Sequence, residues 1–123
     1  MKKEVIQIGK PPMVPISQAI KAGRLLYCSG TVPTDPATGG LIAGDIEAQT
    51  ERVLENLRPI LEAAGSGFEK VVKATVFLAD KGDFAGMNNV FRRYFPKDPP
   101  ARSTVQVELM IDAKVEIELI ATT

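Results

Sequence analysis

The sequence predicts an α+β domain in which two helices lie against one mixed β-sheet. Three observations predict it. Two stretches carry apolar residues at helical spacing, shorter stretches between and around them have strand composition, and the elements follow one another as β-β-β-α-β-α-β-β. At 123 residues the chain, 1–123, has the size of one domain, with no repeat, linker or low-complexity segment.

Residues 5–8 read as a short strand ended by Gly9 and the Pro11-Pro12 pair. Residues 17–22 follow Pro15 and stop at Gly23-Arg24, and the apolar run 25–29 ends at Gly30, so these two pieces form a hairpin about Gly23. Residues 34–40, with Asp35-Pro36 and Gly39-Gly40, are a loop. The first helix starts at an N-cap, Asp45, and buries Ile46, Val53, Leu54, Leu57, Ile60, Leu61 and Ala64 before Gly65 stops it. Pro59 lies inside and is expected to kink the helix or loosen its last turn. Residues 71–78 are rich in β-branched side chains and form a strand. Asp83 caps a second helix with Phe84, Met87, Phe91 and Phe95 on its inner face, and Pro96 closes it. Two last strands, 102–109 and 114–121, joined by 110–113, are expected to pair as a hairpin. Val71, Ala74, Val76, Leu78, Val115, Ile117 and Leu119 exceed what water would tolerate on an open sheet face, which predicts a homo-oligomer.

Composition narrows the function. The chain is 45% hydrophobic and 24% charged, the balance of a globular protein, and fifteen Lys+Arg match fifteen Asp+Glu. That neutrality argues against nucleic acid as a partner. There is no histidine and one cysteine, Cys28, so an internal disulfide is impossible and a zinc site is excluded in practice. Lys2 and Lys3 precede no long apolar stretch, so neither a signal peptide nor a membrane anchor is expected, and the cytoplasm is the expected compartment.

Arg102 is the leading candidate for chemistry. It follows Pro99-Pro100-Ala101, which stiffen the backbone at the mouth of a strand, and a fixed guanidinium grips a carboxylate through two parallel hydrogen bonds. Alternation puts Arg102, Thr104 and Gln106 on one side of their strand and Glu116 and Glu118 on one side of the next. If the two strands pair, all five share a polar face, which is either a solvated strand face with a surface ion pair or a carboxylate receptor with a glutamate as general base beside the arginine. Asn88 sits near the inner face of the second helix, where an amide bonds backbone or braces a pocket. Gly30 allows close approach at a strand end, and Ser29 beside it has no histidine to activate it, which excludes a serine hydrolase.

Four segments carry a resemblance: residues 28–33, Cys-Ser-Gly-Thr-Val-Pro, with 35–39; the helix end 61–65; residues 71–78 with 83–88; and Pro100-Ala101-Arg102-Ser103-Thr104-Val105 with the later Val115-Glu116-Ile117-Glu118. In these the chain resembles the RidA (YjgF) family of small imine deaminases. The resemblance implies a chorismate-mutase-like fold assembled as a homotrimer, with active sites in clefts between subunits. It implies hydrolysis of enamine and imine acids such as 2-aminoacrylate and 2-iminopropanoate, released by PLP-dependent dehydratases, to 2-oxo acids and ammonia, without metal or cofactor. Arg102 would bind the substrate carboxylate and Glu116 would position water. Ser29, Gly30 and Asn88 would line the site, with Thr104 where the family often has cysteine. One departure stands out: Ile16 occupies the place of a pocket tyrosine. A 2-oxo acid binding protein with little catalysis, and an RNA-directed inhibitor of translation, are the competing readings.

Overall fold

The computed structural model describes residues 2–123. Six strands form one sheet in the order β1-β2-β3-β6-β4-β5. They are β1 (Lys3–Ile6), β2 (Ala19–Ala22), β3 (Leu25–Thr31), β4 (Val71–Leu78), β5 (Ala101–Gln106) and β6 (Val115–Thr122), with helices α1 (Ile46–Ala63) and α2 (Phe84–Tyr94) on one face. The element order and the two-helix layer are as the sequence predicts.

Local chemistry explains the boundaries. The strand expected at 5–8 is β1, two residues earlier, because the Gln18 amide takes over Ile8: the Ile8 N–H donates to Gln18 Oε1 at 2.8 Å and Gln18 Nε2 donates to the Ile8 carbonyl at 3.0 Å. Asp45 caps α1 by accepting the Ala48 N–H at 2.9 Å. The helix runs through Pro59 to Ala63 and closes on Gly65, which takes φ +77°, while the Ser66 N–H reaches back to the Leu61 carbonyl at 2.9 Å. Asp83 makes no capping bond. The carboxylate that caps this corner is Asp80, which accepts the Gly82 N–H at 2.7 Å in a short turn ahead of α2. Phe84, expected on the inner face of α2, is exposed, and Val90 is buried in its stead.

The expected terminal hairpin is not formed. β4 lies between β5 and β6, pairing parallel with β5 and antiparallel with β6. The segment β4-α2-β5 is a crossover unit: the helix carries the chain back along the sheet, so β5 must run parallel to β4. The seven apolar residues taken as an open face are all buried against the helices, so they give no argument for a partner. On the opposite face, where no helix lies, Val5, Tyr27 and Val105 are exposed among Lys73, Thr75, Ser103, Glu116 and Glu118.

Candidate functional site

Arg102 stands in register with Ala74 and, through it, with Leu119, both buried under the helices. Its side chain therefore turns towards α2. The guanidinium lies 4.8 Å from the centre of the Phe91 ring and 5.7 Å from that of Phe84, with Nη1 3.8 Å from the Met87 sulfur. Aromatic faces and a thioether hold the planar cation without neutralising it. Among the described residues Arg102 makes no ion pair. Burial, and then the charge of Arg92, lower its pKa. It opens onto a cleft of about 410 Å³ between α2 and the Pro99-Pro100 approach, which Asn88 also lines. Thr104, two residues along, is half-buried on the same face. A guanidinium held this way, with no ion pair among the described residues, is able to receive an anion.

The second half lies elsewhere. Glu116 is in register with Phe77 and Val105, on the face away from the helices, and its carboxylate rests against Gly30. A Cβ built on Gly30 would sit 2.0 Å from Glu116 Oε2, so only glycine leaves room for the carboxylate there. The pairing of β3 with β6 shifts register between Cys28 and Thr31, around this contact. Burial raises the Glu116 pKa, with the Glu118 charge adding to it. The Ser29 hydroxyl donates to the Ser17 carbonyl at 2.5 Å and its N–H to the Gln18 carbonyl at 2.9 Å, which fixes residues 17–18 against the end of β3. Ile16, next in line, is 52% exposed. Ser29 thus has a structural task and no nucleophilic one.

The polar face expected to gather Arg102, Thr104, Gln106, Glu116 and Glu118 is therefore split. Arg102, Thr104 and Gln106 turn to the helix side, while Glu116 and Glu118 turn to the other. With β4 between them, the backbones of β5 and β6 are roughly 10 Å apart. Side chains alternate along β5 and β6 as expected, and it is the insertion of β4 between them that separates the two groups. Sequence reasoning missed the ring cradle of Phe84, Phe91 and Met87. Phe84 and Phe91 lie seven residues apart on α2, with Met87 between at three and four, a spacing that places all three on one side. Cys28 is buried, and its thiol is pushed up to about 12 by desolvation, so it is a core side chain and no nucleophile. Among the described residues no cluster of metal-ligating side chains occurs, and no helix is long and apolar enough to cross a membrane.

Known proteins match this arrangement. A family model described as Endoribonuclease L-PSP matches residues 8–123. The chloroplastic Reactive Intermediate Deaminase A of Arabidopsis thaliana is 47% identical over 125 residues, covering 99% of this chain and 67% of that protein. The 2-iminobutanoate/2-iminopropanoate deaminase of Capra hircus is 43% identical over 122 residues, covering 97% of this chain and 89% of that one. The crystal structure of RidA from an Antarctic Psychrobacter superposes with a TM-score of 0.91 at 42% identity, over 98% of this chain and 99% of that one. A match that runs from residue 8 to residue 123 takes in both half-sites, and with it the chain belongs to the RidA (YjgF) family, described also as Endoribonuclease L-PSP.

Proposed function

We propose that this protein hydrolyses reactive enamine and imine acids of the 2-aminoacrylate and 2-iminopropanoate type to 2-oxo acids and ammonia. It does so in the cytoplasm as a homotrimer, with active sites built between copies. The observation that carries this reading is the separation of two incomplete halves: an uncompensated Arg102 in an aromatic cradle, and a desolvated Glu116 on the opposite sheet face. Neither half works alone. A cyclic assembly that sets the Arg102 cleft of one copy against the Glu116 face of the next joins them, and it also covers Val5, Tyr27 and Val105.

In the joined site Arg102 holds the carboxylate of the substrate, with Asn88 and Thr104 flanking it, and so fixes the C=N carbon. Orientation of this kind supplies a large share of a barrier, and an imine is already electrophilic. Glu116 of the neighbouring copy, beside Gly30 and Ser29, takes a proton from water as oxygen adds to that carbon and passes it to the nitrogen, which returns the carboxylate to its ionised form. The carbinolamine formed then loses its nitrogen as ammonia, leaving the 2-oxo acid. Ile16 makes the glutamate side of the site more apolar than a tyrosine would, and it favours the alternative of 2-oxo acid binding with slow turnover. Restoration of turnover by Ile16→Tyr distinguishes the two. RNA as substrate finds little support in a chain with fifteen cationic and fifteen anionic side chains and no histidine.

The test is complementation. Arg102→Ala abolishes acceleration of 2-iminopropanoate hydrolysis, and Glu116→Gln lowers it by about 10²-fold or more. Mixed by co-refolding, they regain about a quarter of wild-type activity, because every mixed trimer contains one site with both residues intact. Undiminished activity in either variant alone, or a mixture as inactive as its components, refutes the composite site.

A further inference from the structure

Arg102 is not the only unpaired cation in its cleft. Arg92 lines the same cleft and directly follows Phe91, whose ring carries the Arg102 guanidinium. Neighbouring arginines are committed: Arg93 to Glu51 at 3.2 Å and Glu47 at 3.9 Å, Arg58 to Glu55 at 3.0 Å. Among the described residues, Arg92 and Arg102 form no ion pair. The charge of Arg92 acts on Arg102, adding to burial in lowering its pKa, so the two guanidiniums are within electrostatic reach. The remaining lining is the Asn88 amide, two phenylalanines and two prolines, with no acid among them. Arg102 is half-buried and Arg92 is exposed at the edge of the cleft, so the two like charges repel, and one bound carboxylate neutralises only half of the excess.

We infer that this cleft selects substrates with two carboxylates, the 2-imino diacids derived from aspartate or glutamate. Arg102 takes the carboxylate next to the C=N bond and Arg92 takes the distal one. The inference rests on the deaminase reading above and leaves its chemistry unchanged: water oxygen bonds to the imine carbon, the C–N bond breaks, nitrogen leaves as ammonia, and nothing is oxidised or reduced.

The experiment compares kcat/KM for the imines of aspartate and alanine, each generated in situ by an amino-acid oxidase, in wild type, Arg92→Ala and Arg92→Lys. Wild type prefers the diacid. Arg92→Ala lowers the diacid-to-monoacid ratio by about tenfold, mainly through KM for the diacid, and Arg92→Lys recovers part of it. An unchanged ratio, including an equal loss on both substrates, overturns the inference, since Arg92 then serves a single carboxylate or none. Calorimetry with 2-oxoglutarate and 2-oxobutanoate separates the two possible failures. If wild type accelerates neither imine, the deaminase reading falls. Preferential 2-oxoglutarate binding that Arg92→Ala removes still upholds the diacid preference, and equal binding of the two overturns it.

Discussion

Replacing Gly30 by alanine is the sharpest single test of the role given to Glu116. The new methyl carbon would lie 2.0 Å from Oε2, 3.0 Å from Cδ and 3.4 Å from Cγ of Glu116. To reach van der Waals contact the carboxylate must retreat by roughly 1.5 Å. Gly30 is not among the residues with positive φ, so alanine brings no backbone strain, and the displaced atoms are the free end of a side chain. Folding is therefore little affected. Catalysis is affected strongly, because a misplacement of about 1 Å costs on the order of 100-fold, or about 2.7 kcal/mol of transition-state stabilisation. The assay is kcat/KM for 2-iminobutanoate generated in situ, paired with thermal unfolding of the same sample. Wild-type kcat/KM in a folded Gly30→Ala protein would refute the argument that Glu116 acts from this position. A large fall in Tm would refute the argument that the contact is local.

Glu116→Gln gives a complementary result. Activity falls by about 10²- to 10⁴-fold, the usual weight of a general base. Because burial raises the carboxyl pKa and catalysis needs the ionised form, the acid limb of the wild-type pH profile lies above that of an ordinary glutamate. The stability sign follows: this group favours folding most below the ordinary carboxylate pKa, and that contribution is lost as pH rises through the raised value, so Glu116→Gln does not lower Tm at neutral pH. Gly86→Ala tests the helix pair. Its Cβ would lie 2.5 Å from Cγ2 of Ile46, a β-branched side chain with little freedom, so chemical denaturation should show a loss of about 1–3 kcal/mol, less up to about 1 kcal/mol of gained helix propensity.

The parts of the fold that could be read from the sequence are those fixed by neighbours in the chain. α1 carries its own instructions in Asp45, the spacing of Val53, Leu54, Leu57 and Leu61, and Gly65. Strand pairing is decided by distant residues, and here the reading failed for an identifiable reason. Two strands separated by a short connection look like a hairpin, yet β4-α2-β5 had already placed β5 on the far side of β4. The same error misplaced the apolar face. Val76 and Ile117 are buried beneath helices within one chain, and alternation alone cannot say which side of a sheet a helix will cover. At the site, Arg102 and Asn88, singled out by strand and helix position, share a cleft, and Glu116 and Gly30 touch.

The position of β6 bears on how this molecule is made. The strand at Val115–Thr122 lies between β3 and β4, so it joins β1-β2-β3 to β4-β5 and no other strand bridges the two groups. Until that segment has emerged during synthesis, the earlier strands form two separate fragments with unpaired edges, exposed to wrong pairing. Completion depends on contacts between residues about four-fifths of the chain apart, such as Leu25 with Thr122. Folding is therefore bound to occur late and all at once, after β6 is available to bridge the two groups. A chain truncated within β6 would be a substrate for proteolysis before it could be a weak enzyme.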